Sequence, residues 1–209
     1  MARSACFLLM RKPHIFALSI AGLLLLSSCS PRDFLTRRLA ADLIATSNTF
    51  RATQSFQMTT GIVSNADYLS TEYLAVQHHG WISATQARCP PDISPPPCWD
   101  VTLSPAGVDT FRPLIAPGDS DKQAFRIPVA RRELVAVTGI SKLGRVADVE
   151  FTWRWIPLNE VGAAIYSSDV RYRSTASFHA YDDGWRIVQG IARPSQPLDQ
   201  ALKDAEPVP

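Results

Sequence analysis

The sequence predicts an α+β protein. Three observations carry that expectation. Leu35, Leu39 and Leu43 recur every four residues with charged residues between them, the period of an amphipathic helix. Arg145 to Trp155 alternates strictly, with Val149, Phe151, Trp153 and Trp155 on one face and Asp148, Glu150, Thr152 and Arg154 on the other, the period of a half-buried strand. Between them, Cys89 and Cys98 enclose Pro90, Pro91, Pro95, Pro96 and Pro97, a segment that excludes helix and central strand. The expected architecture is a helical N-terminal half bearing a disulfide-stapled β-hairpin, followed by a twisted antiparallel sheet with a short covering helix.

The first helix is expected over 32–45. A second is expected from Asn65, as N-cap, to His79, stopped by Gly80, with Leu69, Tyr73 and Val76 facing inward. Strands follow at 81–85 and 99–103, joined by the proline-rich loop. In an oxidising compartment Cys89 and Cys98 are expected to pair, and closing a loop of about ten residues is worth roughly 2 to 3 kcal/mol. The spacing is not that of a metal site. Thr102 to Gly107 reads as a strand end entering a short helix that continues to about Phe111. Pro113 to Ala124 is the best internal boundary, separating a helical and hairpin-bearing part (29–112) from an antiparallel β part (125–192). Strands are expected at 125–129, 134–140 and 145–155. A short helix opens near Pro157 to Val161, and a strand at 172–181 turns through Asp182-Asp183-Gly184 into 185–188. The tail, 193–209, is expected to fray after a short helix near 198–205.

The N-terminus carries a different signal. Arg3, Arg11 and Lys12 precede an apolar run from Ile15 to Leu26, too short to span a bilayer, and Leu26-Ser27-Ser28 leads into Cys29. This order resembles the bacterial lipoprotein family, in which a Leu, two small residues and a Cys mark cleavage. The resemblance covers the signal region only. It implies that 1–28 is removed, that Cys29 becomes the acylated first residue, and that the protein is held in the cell envelope. Ser30 after the Cys implies the outer membrane, facing the periplasm. Removing the three basic signal residues leaves 18 Lys plus Arg against 19 Asp plus Glu, so the remaining chain is close to neutral. Only Ser30 and Pro31 separate Cys29 from the first helix, which keeps the body near the lipid.

Glu72-Tyr73-Leu74, Gly80-Trp81-Ile82 and Leu103-Ser104-Pro105-Ala106-Gly107 resemble the winged-helix pattern of helix, Gly turn, two-stranded wing and Gly-marked helix entry. The segment 65–80 has no Lys or Arg, so the resemblance does not extend to nucleic-acid binding.

Candidate chemistry is sparse. His78 and His79 are adjacent, point about 100° apart on a helix and suit its C-terminal dipole. Asp148 and Glu150 share a strand face at roughly 6.5 to 7 Å, a separation that paired glycosidase carboxylates also use. His179, with Tyr181 and Asp182, stands at a hairpin end where proton transfer is conceivable. Trp153 and Trp155 fit either a core or a stacking platform. No phosphate-binding Gly loop, nucleophile elbow or metalloprotease motif is present, and no cofactor is expected. The leading expectation is a non-catalytic binding or structural module of the envelope, partnered by the bilayer through Cys29 and by another envelope protein. A small-ligand binder using the concave side of the C-terminal sheet, and an envelope hydrolase working through His179 or Asp148 and Glu150, stand beside it.

Overall fold

A computed structural model describes residues 34–91, 93, 95–115, 123–189 and 195–208. The signal region, Cys29 and the centre of the expected boundary at 113–124 lie outside them. Every strand pairing is antiparallel, and the Cys89–Cys98 disulfide is formed with a Cα separation of 5.2 Å.

The chain begins with helix α1 (Arg37–Thr46), capped by the Thr36 hydroxyl, and α2 (Asn48–Arg51), capped by Ser47. Strands β1 (Gln54–Thr59) and β2 (Gly61–Ser64) follow, then α3 (Asn65–Tyr68) and α4 (Thr71–His78). Next come β3 (Ile82–Ala87), β4 (Cys98–Leu103) and α5 (Pro105–Phe111). The second half holds β5 (Ala124–Leu143), β6 (Val146–Pro157), α6 (Glu160–Ile165), β7 (Arg171–Tyr181), β8 (Gly184–Ile187), α7 (Leu198–Lys203) and β9 (Glu206–Val208). One sheet has the order β1-β5-β6-β7-β8 with β9 also on β7, and a smaller one has the order β2-β4-β3.

Four expectations are corrected. The first half is mixed rather than helical, because β1 leaves it to join the large sheet beside β5 and β2 pairs with β4. The single helix expected over 65–79 is two, because Ser64 and Ser70 each turn a hydroxyl onto the backbone N–H three residues on and start a new helix. Ser64 takes the capping role expected of Asn65, whose Oδ1 instead accepts from Trp99 Nε1 at 2.9 Å, and Leu69 at the break is exposed. The separate strands at 125–129 and 134–140 are one strand of 20 residues. The tail does not fray after its helix, since β9 pairs with β7 through Arg171–Val208, Tyr172–Pro207 and Arg173–Glu206.

The β7 edge shows why the tail is ordered. Residues 178–181 pair with β8 and 171–173 with β9, and between them Ser177 N donates to Gln196 O at 2.8 Å while its hydroxyl accepts from Gln196 N at 2.9 Å. The edge is covered along most of its length, which removes a template for unwanted pairing.

Two cores lie side by side along β5. Phe56, Met58, Tyr73, Val76, Val101, Phe111, Phe125, Ile127 and Val129 form one; Ile44, Phe50, Ala130, Phe151, Trp153, Trp155, Phe178, Trp185 and Leu198 belong to the other. The seam is a bulge. The β1–β5 register shifts between Gln54 and Ser55, so Val129 is an extra residue, and neighbouring Val129 and Ala130 are both fully buried. Tyr166 packs against both cores.

Candidate functional site

β1 is the outer strand of the large sheet, and its far side is only partly occupied. The Thr59 N–H donates to the Tyr73 hydroxyl at 2.7 Å, and that hydroxyl donates to Thr59 O at 3.1 Å. Both backbone groups of Thr59 therefore point away from β5. In an antiparallel ladder residues two apart repeat this orientation, so the N–H and C=O of Gln57 and Ser55 also point outward. Pro128, which has no N–H, lies opposite Ser55.

These outward groups face a groove with two lobes on either side of Tyr73. The larger, about 590 Å³, is bounded by Gln57, Thr59, Ile62, Val63, Ser64, Asp67, Tyr73 and Ile93 of the stapled loop. The smaller, about 250 Å³, is bounded by Ser55, Gln57, Asp67, Ser70, Glu72, Tyr73 and Tyr166 among others. Among the described residues, Asp67 and Glu72 are the charged side chains that line the lobes, so the described lining is acidic. Burial pushes the hydroxyl pKa of Tyr73 up against the opposing hydrogen bonds of Thr59. Burial, followed by Glu72, pushes Tyr166 up as well. Both stay protonated at neutral pH and act as neutral hydrogen-bonding groups.

A second polar feature is enclosed. Arg132 places its guanidinium 4.7 Å from the Trp155 ring and 5.5 Å from Trp153, and donates from Nη1 to Thr49 O at 3.2 Å. Its Nε is buried without a hydrogen-bond partner, and burial lowers its pKa. Trp153 stacks on Tyr172 at 4.8 Å, gives its indole N–H to Ser174 and is 2% exposed; Trp155 leans on Tyr166. The two tryptophans are core. The face on which a ligand-binding concavity was expected is filled by Phe50, Phe151, Trp153, Trp155 and Phe178.

The other residues singled out from sequence are not brought together. Asp148 accepts from Ser177 Oγ at 2.7 Å and Glu150 from Thr138 Oγ1 at 2.8 Å, on the polar face of the sheet. His179 Nε2 lies 3.1 Å from Ser195 Oγ, a contact that sequence spacing did not show. Neither Asp148 nor Asp182 completes a triad there, since Asp148 is held by Ser177 and Asp182 by Arg145. A cavity of about 370 Å³ beside Asp148, Arg173, Ser177, Asp204 and Glu206 is lined by side chains already paired in part, as Arg173 is with Glu206. His79 ends α4, donates its N–H to Ala75 O and stacks on Trp81 at 4.7 Å; His78 meets His79 edge-on. Among the described residues no three His, Cys, Asp or Glu side chains gather in a group able to hold a metal, and no helix is long and apolar enough to cross a membrane.

The groove itself was missed from sequence. Its one signal is the short alternation from Gln54 to Thr59, with Phe56 and Met58 apolar, which suffices for a strand but does not reveal an edge. The chain matches no protein-family model, no curated protein and no solved structure.

Proposed function

We propose that this protein is a lipid-anchored component of a bacterial cell envelope that works without chemistry of its own, by holding an extended segment of another envelope protein along β1. The anchor rests on Leu26-Ser27-Ser28-Cys29. The observation that carries the binding role is the outward backbone of Ser55 and Gln57 facing an open acidic groove, where the equivalent groups of Thr59 are already satisfied by Tyr73. An extended peptide adds to such an edge through main-chain hydrogen bonds, and its alternate side chains enter the lobes. Asp67 and Glu72 favour a segment carrying Lys or Arg.

The test combines a photo-crosslinker in place of Ile93, on the groove rim, with Gln57→Pro. Proline at an edge position whose N–H faces outward leaves the ladder to β5 intact but removes one donor from the groove. The expected result is capture of one extended, basic segment of an envelope protein, lost with Gln57→Pro at an unchanged melting temperature. Capture indifferent to Gln57→Pro overturns the binding mode. Separately, Cys29→Ser releases the protein from the membrane fraction; a parent protein already soluble overturns the anchor.

A further inference from the structure

One end of the large sheet differs from the rest of its polar face. Along that face Thr138 and Glu150, Glu133 and Arg154, and Ser177 and Asp148 pair side by side. At the hairpin end the pattern stops. Leu143, at the two-residue turn through Gly144 and Arg145, is 86% exposed, and Val146 and Tyr181 beside it are also exposed. The β5–β6 and β7–β8 turns are tied together: Arg145 Nε donates to Ala180 O at 3.1 Å, and its Nη2 bonds Asp182 at 3.1 Å. Phe34, 59% exposed, joins the same end, because the Lys142 ammonium sits 5.6 Å from the Phe34 ring and 5.0 Å from the Trp185 ring.

Phe34 ties this end to the proposed anchor. It stands five residues after Cys29, and five extended residues reach at most about 18 Å. An acylated Cys29 would therefore keep Phe34, and the end it joins, within about 18 Å of the lipid.

We propose that the hairpin end is a membrane-contact surface, with Phe34, Leu143, Val146 and Tyr181 seated in the headgroup region of the bilayer that carries the Cys29 anchor. Exposed aromatic and aliphatic side chains beside charged ones are suited to that region. Two of the nearby charge pairs are internal, Arg145 with Asp182 and Arg186 with Asp183, and the Lys142 ammonium lies against the Phe34 and Trp185 rings. The contact is accordingly chiefly apolar in origin. The docked orientation is a consequence of fold and anchor together, and it rests on the lipid-anchor reading above.

The experiment uses the full-length gene product, purified from membranes and reconstituted into vesicles of phosphatidylethanolamine and phosphatidylglycerol. Single fluorophores are attached at Leu143→Cys, or at Leu74→Cys on helix α4, both at exposed positions. Flotation reports the anchor, and quenching by spin-labelled lipid reports contact. The expected result is flotation of both variants, with the probe at 143 quenched at least threefold more than the probe at 74. Flotation with equal quenching at the two positions overturns the membrane-contact surface and leaves the anchor standing. Failure to float overturns the anchor and this proposal with it.

Discussion

A single hydroxyl, that of Tyr73, closes both hydrogen-bonding positions of Thr59, accepting from its N–H at 2.7 Å and donating to its carbonyl at 3.1 Å. Tyr73 reaches β1 from α4, so a side chain stands where the backbone of a further strand would otherwise pair. Its ring is buried edge-on against Phe56 at 5.6 Å. Tyr73→Phe keeps the ring and strands both Thr59 groups. The expected loss is about 1–3 kcal/mol, the cost of leaving polar groups unsatisfied. Urea unfolding checks it: the midpoint falls while the slope stays constant.

The same residue sets an alkaline limit. Folding raises the pKa of Tyr73, and of Tyr166, above the ordinary tyrosine value of about 10, chiefly through burial. Below that value both the folded and unfolded chains hold the proton, and stability is undiminished. Above it the unfolded chain releases the proton first, so stability declines as pH rises toward the folded pKa. Denaturation midpoints measured between about pH 9 and 11 are expected to fall steadily, and more shallowly in Tyr73→Phe. An equal slope in the variant would remove Tyr73 from the explanation.

Helix α6 depends on a missing side chain. A Cβ at Gly162 would stand 1.9 Å from the carbonyl oxygen of Val129, the bulge residue of β5, whereas at Gly139 the nearest atom is Glu150 Cβ at 3.6 Å. Asn159 fixes the approach by capping Gly162 N at 2.9 Å and donating to Pro128 O at 2.7 Å. Gly162→Ala is expected to cost about 3 kcal/mol, through forced separation of helix and strand, while Gly139→Ala stays within about 1 kcal/mol of the parent. Thermal melts of the two variants side by side make the comparison.

The disulfide holds the small sheet from its end. Cys98 is fully buried at the start of β4, opposite Ser64 of β2 and Ala87 of β3. Reduction is expected to remove roughly 2 to 3 kcal/mol. Amide exchange should accelerate first in β3 and β4, and least at Phe151 and Phe178 of the other core. Uniform acceleration across both cores would mean that they unfold as one unit.

Much of the sheet was legible because its residues obey a local rule. Val149, Phe151, Trp153 and Trp155 are buried on one face of β6 as their alternation requires, and Asp182-Asp183-Gly184 turns between β7 and β8. The helix entry at Leu103 to Gly107 was visible too. Its physical basis appears only in the fold: Ser104 caps Gly107 N at 3.0 Å and donates to Gly80 O at 2.7 Å, and a Cβ at Gly107 would meet Trp81 O at 1.9 Å.

By itself, then, the sequence determined the α+β class, the central strands, the disulfide-closed loop and the expectation of an anchor at Cys29. The first three follow from periodicity, proline placement and spacing, all properties of neighbouring residues, and the last is what the resemblance to bacterial lipoproteins implies. Tertiary structure alone decided that β1 joins the far sheet, that β9 closes the β7 edge, and that Tyr73 stops at Thr59 and leaves Ser55 and Gln57 open. It also set Arg132 beside Trp155 and Lys142 beside Phe34. Each of these is a contact across many residues of chain, where packing and hydrogen-bond satisfaction, not local propensity, select the partner.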